Sequence, residues 1–88
     1  MKFTDELYVG KSIADTAAVV GLLKDGKAAS GVFCVCKKEN GKFLYEIMES
    51  TELLKERNRD KYTVYGIAGG KREAFEVFRT IVEDTNGY

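Results

Sequence analysis

A glycine-rich corner followed by two basic residues is the part of this sequence best suited to bind a ligand. The run YTVYGIAGGKREAFEVF, residues 62–78, is typical of a strand, a turn at Gly69 and Gly70, and a helix that begins near Lys71 and Arg72. Unpaired backbone N–H groups and the positive end of a helix dipole attract anions at such a corner. The pattern therefore predicts a candidate site for a phosphate or a carboxylate.

The glycine spacing does not match the known phosphate-binding loops. A P-loop has four residues between its first glycine and a Gly-Lys-Ser/Thr triplet, and the dinucleotide loop reads Gly-x-Gly-x-x-Gly. Here the order is Gly-x-x-Gly-Gly, and Lys71 is followed by Arg72 instead of a hydroxyl that could hold magnesium. Any anion site at this corner would thus be of another type.

A purely structural interpretation of the same corner stays open. Gly66, Gly69 and Gly70 would then serve close packing and positive φ angles. Acidic residues at the helix starts, such as Glu73, would neutralise the dipoles without a ligand. Glu49 and Glu52 are placed in the same way before the second helix.

Other catalytic chemistries have little support in the sequence. The chain has no histidine, which excludes a conventional triad and imidazole acid–base catalysis. Its two cysteines, Cys34 and Cys36, would lie on one face of a strand, which is poor geometry for a disulfide, and they are too few for a zinc site. We expect reduced, buried cysteines, no metal, no cofactor and no enzymatic activity.

Composition indicates one globular domain, residues 1–88. The chain is 44% hydrophobic and 32% charged, and its 14 basic and 14 acidic residues cancel. This neutrality does not favour nucleic acid or an anionic membrane as a partner. No apolar run approaches the roughly 20 residues of a membrane helix, and acidic residues stand where a signal peptide would be apolar. We expect a cytoplasmic protein.

Three helices are predicted. The first begins at Ser12, in a capping-box pattern with Asp15, and ends at Gly26. The second is short, is capped by Ser50 or Thr51, and runs through ELLKERN. The third begins near Gly70, and its apolar stripe is Ala74, Phe75, Phe78, Ile81 and Val82.

The strands are set by a hairpin signal at Asn40-Gly41, the preferred pair for a two-residue turn. This turn predicts that Cys34 faces Ile47 and that Phe33 faces Met48. The segment KYTVYGIAG is a further strand, and ELYVG is either a short strand or an extended lead-in. On this register one face of the hairpin carries Phe33, Val35, Leu44 and Met48.

The element order α-β-β-α-β-α predicts an α+β fold, a small two-layer sandwich whose largely antiparallel sheet has three strands, or four if ELYVG is one. The first hairpin strand lies in the middle, and the last strand runs parallel to the second. Two helices then begin at the same sheet edge. The candidate ligand-binding residues gathered there are Ser50, Thr51, Gly69, Gly70, Lys71 and Arg72.

The sheet has a second apolar face that needs a cover. Only the short second helix is expected over Phe33, Val35, Leu44 and Met48, and exposed apolar surface of this kind marks interfaces. We therefore predict a non-enzymatic binding or interaction module that binds another protein or forms a homodimer through this face. The alternative is a module that binds a small anion, such as phosphate or a nucleotide, at the glycine-rich corner.

The motifs ELYVGKS, STELLKER and YTVYGIAGGKREAFEVFRTIVED resemble a group of small uncharacterised αβ proteins of Firmicutes, and they span nearly the whole chain. Members carry a similar ELY start, a Val-x-Gly-Ile-Ala-x-Gly strand exit and a closing helix that ends Ile-Val-Glu-Glu. They usually have an aromatic residue after the second glycine, where this chain has Lys71. The resemblance implies a bacterial αβ fold and no particular activity.

Overall fold

The computed structural model describes residues 1–39 and 45–85, which form four strands and three helices. In chain order the elements are β1 (Lys2–Val9), α1 (Thr16–Lys24), β2 (Phe33–Lys38), β3 (Glu46–Glu49), α2 (Ser50–Leu53), β4 (Tyr62–Ala68) and α3 (Lys71–Asp84). The predicted α+β class is confirmed. The first four residues of ELYVG belong to the eight-residue strand β1, and Gly10 follows directly after it. The turn at Asn40-Gly41 and the interface residue Leu44 lie outside the described residues.

The strands form one mixed sheet in the order β1-β4-β2-β3. Strand β2 is antiparallel to both β3 and β4, so β3 and β4 run in the same direction, as predicted. Strand β1 pairs with β4 in parallel. The predicted order of the three later strands is confirmed, and β1 extends the sheet on the β4 side.

The predicted hairpin register is wrong by one residue. Cys34 pairs with Met48 and Val35 with Ile47, whereas the two-residue turn placed Cys34 opposite Ile47. A shift of one residue moves every β3 side chain to the other face. Ser50, directly after β3, fixes the end of this strand through two hydrogen bonds. Its N–H donates to the Val32 carbonyl over 2.9 Å, and its hydroxyl donates to the Ala29 carbonyl over 2.7 Å. Met48 therefore does not share a face with Phe33 and Val35.

Strand β4 contains a β-bulge. Val35 pairs with Gly66, but the next residue of β2, Cys36, pairs with Val64, so Tyr65 is an extra residue on β4. A bulge changes which face the following side chains occupy. As a result Val64 and Ile67, three positions apart, pack in the same cluster.

The sheet separates two buried clusters, so the predicted two-layer sandwich is not confirmed. On one face α1 and α2 contribute Leu23 and Leu53 to a cluster with the two cysteines. On the other face α3 covers Val35 and Ala68. The face with Phe33 and Val35, for which only the short second helix was predicted as a cover, is therefore packed beneath α3, and α2 lies on the opposite face.

Three helix predictions need correction. Helix α2 has Glu49 at its N-cap position and no side-chain cap hydrogen bond, instead of a cap by Ser50 or Thr51, and it ends at Leu53 instead of running through ELLKERN. Helix α1 begins at Thr16 instead of Ser12, and its cap is Asp15, whose carboxylate accepts from the Ala18 N–H over 3.0 Å. Helix α3 starts as predicted, after Gly70. Its buried positions are Ala74, Val77 and Ile81, a stripe rotated away from Phe75, whose side chain is 52% exposed.

Close approach of α3 to the sheet depends on Gly66. A Cβ atom there would lie 2.6 Å from Val77 Cγ1 and 3.3 Å from Ile81 Cδ1. These distances are too short for an unstrained contact, so the glycine is required by packing.

Replacing Gly66 with alanine is expected to lower the free energy of unfolding by about 1–3 kcal/mol, because α3 must move away from β4. The matched control is Gly21→Ala, at an exposed position within α1 with open space around it. That control is expected to stabilise the chain by about 0.5–1 kcal/mol. Urea denaturation measures both, and equal effects of the two substitutions would contradict this account.

Candidate functional site

The glycine-rich corner connects β4 to α3, and its backbone is already hydrogen-bonded. The Gly69 N–H donates over 2.8 Å to Oε1 of Glu73, the third residue of α3. Ser12, in the segment between β1 and α1, donates to the same carboxylate twice, from Oγ to Oε1 over 2.7 Å and from its N–H to Oε2 over 3.1 Å. The Glu73 carboxylate thus occupies the place where an external anion was expected.

These bonds stabilise the charged form of Glu73. The Gly69 N–H contributes most, followed by the Ser12 hydroxyl, and together they lower the pKa of the carboxyl from its usual value near 4.5. The carboxylate is also favourably placed at the positive end of α3. Glu73 therefore lies at the helix start, where the structural interpretation of the corner placed a neutralising carboxylate.

Two glycines make room for this arrangement. A Cβ atom at Gly10 would collide with the Glu73 carboxylate, and one at Gly69 would collide with the Ser12 hydroxyl. Gly70 has open space around it, and its φ of 173° is ordinary extended backbone. The corner glycines therefore serve close packing at Gly66 and Gly69, and the expected positive φ angles are not found at Gly66, Gly69 or Gly70.

The predicted ligand-binding residues are brought together only in part. Phe33 pairs with both Glu49 and Ala68, so α2 and α3 begin at the same end of the sheet, about 10 Å apart across two strand spacings. The two helices then diverge to opposite faces. Thr51, Lys71 and Arg72 are exposed near their helix starts.

Ser50 is not available to a ligand. Its side chain is fully buried, and its hydroxyl both donates to the Ala29 carbonyl and accepts from the Ala29 N–H, over 2.7 and 3.2 Å. The hydroxyl fixes the segment before β2 to the start of α2. Ser50 is therefore a structural residue of the core.

The predicted interface residues do not form one surface. Val35 is fully buried beneath α3, Phe33 is half-buried on that same face, and Met48 is half-buried on the opposite face with the cysteines. The register shift and the cover provided by α3 account for this separation. An interface through the sheet face has no accessible surface at Val35.

The cysteines are buried and reduced, in agreement with the sequence prediction. Burial raises the pKa of Cys34 to about 12, and it raises the pKa of Cys36 further, with the neighbouring Cys34 adding to the effect. Neither thiol forms a thiolate near neutral pH, so neither is a nucleophile in the folded chain. Across residues 1–39 and 45–85 no group of three or more acidic or cysteine side chains is arranged to hold a metal ion.

Glu46 and Tyr62 form a polar contact beside the cysteines. The Tyr62 hydroxyl donates to Glu46 Oε1 over 3.3 Å. Burial, then the negative charge of Glu46, raises the pKa of Tyr62. This pair satisfies the Tyr62 hydroxyl and brings no second carboxylate or nucleophile with it.

A shallow groove of about 270 Å³ lies between β1 and α3. Its walls include Lys11, Glu73 and Glu76, and Val77 contributes apolar surface. The volume is below the 300–1,000 Å³ typical of small-molecule sites.

Within the described chain no helix is long and apolar enough to cross a membrane.

Sequence reasoning did not identify the segment Gly10-Lys11-Ser12 as part of the corner. The available signal was a Gly-Lys-Ser triplet directly after the apolar ELYV. Because β1 and β4 are parallel neighbours, their carboxyl ends lie at the same sheet edge, and this triplet meets the Gly69 corner there.

No family model, curated protein or solved structure matches this chain.

Both thiols are expected to be inert in the native protein. Ellman's reagent should react with them only after unfolding in guanidinium chloride, because their thiolate forms are strongly disfavoured by burial. Release of thionitrobenzoate at the rate of a free exposed thiol, under native conditions at pH 8, would contradict the buried positions.

Replacing Glu73 with glutamine is expected to destabilise the chain by about 1 kcal/mol at neutral pH, a value reduced for the solvent exposure of these hydrogen bonds. Because the folded-state pKa is lowered, this contribution is fully present above the unfolded-state pKa near 4.5 and is lost as the pH falls through the folded-state pKa. The control Glu56→Gln changes an exposed residue after α2 and should alter stability by under about 0.5 kcal/mol. Chemical denaturation of both variants between pH 3 and 7 tests this; a Glu73→Gln deficit that does not shrink in acid would contradict it.

Proposed function

We propose that this protein is a non-enzymatic interaction module that self-associates through the exposed side of α3. The observation that carries the proposal is the position of Phe75, whose side chain is 52% exposed. The other exposed large apolar side chains, in the described ranges, are Val9 at 38% and Leu22 at 40%. A phenylalanine on the surface is costly to leave in water and is a typical interface anchor.

Phe75 continues into other apolar surface. It is one helical turn from Phe78, which is half-buried and packs edge-on to Tyr45 with ring centroids 6.2 Å apart. Val82, also half-buried, follows on the same side of α3. The apolar side chains thus extend along the flank of α3 that faces β3.

The proposed contact lies on α3 instead of on the sheet face. The chain's own helices cover both sheet faces, so the sheet offers little apolar surface to a second molecule. Of the residues that the sequence assigned to this surface, Phe33 and Val35 pack beneath α3, whereas Met48 packs on the opposite face. What remains for a partner is the opposite side of that helix.

The state of the reactive side chains supports a role without catalysis. The thiols are buried with raised pKa values, and Glu73 is held by Gly69 and Ser12. An external phosphate or nucleotide at the corner would have to displace Glu73 from three hydrogen bonds. We therefore prefer self-association to anion binding.

A cytoplasmic location, predicted from the sequence, fits two reduced cysteines.

Phe75→Ser is expected to weaken self-association about tenfold or more, because truncating an aromatic anchor removes a large share of interface energy. Leu22→Ser is the matched control, since it removes an exposed apolar side chain from α1 and should leave association unchanged. Sedimentation equilibrium over a wide concentration range measures both. A wild-type chain that sediments as a 9.8 kDa monomer throughout would contradict the proposal.

A further inference from the structure

The outward face of α3 carries an alternating row of charges. Arg72, Glu76, Arg79 and Glu83 are all exposed and follow one another at spacings of four, three and four residues. At about 100° per residue they share the side of the helix opposite the buried Ala74, Val77 and Ile81. Phe75 borders this row on one side.

These four charges are unpaired within the described chain. Their spacing would allow ion pairs along α3, yet none lies within 4.0 Å of a partner. Glu52 of α2, by contrast, binds both Lys55 and Arg57 over 2.8 Å. The row on α3 is therefore free to pair with another molecule.

The row is complementary to itself under a two-fold axis. Arg72 and Glu83 are equally distant from the midpoint between Val77 and Phe78, and so are Glu76 and Arg79. We infer that α3 packs antiparallel against α3 of a second copy about this midpoint. Arg72 then faces Glu83 of the second copy and Glu76 faces its Arg79, and the axis repeats both pairs. This inference rests on the proposed function and names the geometry of the contact.

The charges also disfavour other arrangements. Sliding one helix by a turn places Glu76 opposite Glu83 in one direction and Arg72 opposite Arg79 in the other. Parallel pairing would place each charge opposite its own copy. Because like charges face each other in all three cases, the row selects one antiparallel register.

The same axis brings the two Phe75 side chains to one side of the contact. With a rise of 1.5 Å per residue, they lie about 7.5 Å apart along the helix direction. Each phenyl ring can therefore contact the other ring or the Arg79 stem of the second copy. The apolar anchor and the ion pairs belong to the same contact.

A contact made by one helix from each chain is small by the standards of stable dimers, which bury about 800 Å² per partner. We expect weak association that depends on concentration. Exposed ion pairs are screened by salt, so dimerisation weakens as ionic strength rises.

Charge reversal provides the test. Glu76→Arg and Arg79→Glu each place like charges opposite each other at two positions, so each variant alone is expected to dimerise at least about tenfold more weakly than wild type. Mixing the two variants restores opposite charges at both positions, and a heterodimer is expected. The double variant Glu76→Arg/Arg79→Glu is expected to recover homodimers. The controls Glu56→Arg and Lys61→Glu make the same net-charge changes at exposed positions away from α3.

Sedimentation velocity with circular dichroism of each variant separates the outcomes. Weak single variants with a restored mixture support the antiparallel pairing. A wild-type dimer that Phe75→Ser disrupts but that neither charge reversal weakens overturns this pairing and leaves the proposed function standing. A wild-type chain that is monomeric throughout overturns both. Charge reversals that weaken the dimer with no recovery on mixing overturn the register.

Discussion

The close approach of α3 to β4 at Gly66 is the contact on which the rest of the structure depends. Without a side chain at Gly66, Val77 and Ile81 reach the backbone of the sheet. The bulge at Tyr65 turns Gly66 toward α3 and Ile67 toward the opposite cluster. The rotation of α3 about its axis is thereby fixed, which decides that Phe75 and the charged row point outward.

The same packing places Glu73 at the corner. Once α3 is seated, its first turn lies beside Ser12 and the end of β4, and the carboxylate accepts from three donors. These donors need an acceptor, and a residue of the same chain provides one without the entropy cost of binding a free ligand. A corner with the appearance of a phosphate site thus joins the segment after β1 to the last helix.

Local sequence signals predicted the features that depend on local physics. The glycines at the end of β4 predicted that α3 starts after Gly70. The strand-like runs and the preferred handedness of crossover connections predicted the order of β3, β2 and β4. The hairpin register was wrong because Ser50, bonded to Ala29 and Val32, anchors the far end of β3. That contact joins residues distant in the sequence, and no turn motif encodes it.

The candidate site was predictable to a similar extent. Glu73 was identified as the group that neutralises the corner, but its partner Ser12 was assigned to the cap of α1. Only the pairing of β1 with β4 shows that Ser12 lies at this edge. The apolar stripe of α3 was assigned to Phe75 instead of Val77, because periodicity alone does not reveal that the bulged strand admits Val77 above Gly66.

We propose that the outward side of α3 binds a second copy of this chain. A dilution series of amide nitrogen–proton correlation spectra tests it most directly, since each backbone N–H reports its own surroundings. We expect concentration-dependent shifts centred on Arg72, Phe75, Glu76, Arg79 and Glu83, with β1 and α1 unchanged. Spectra that do not change with concentration, or shifts centred elsewhere than α3, would contradict it.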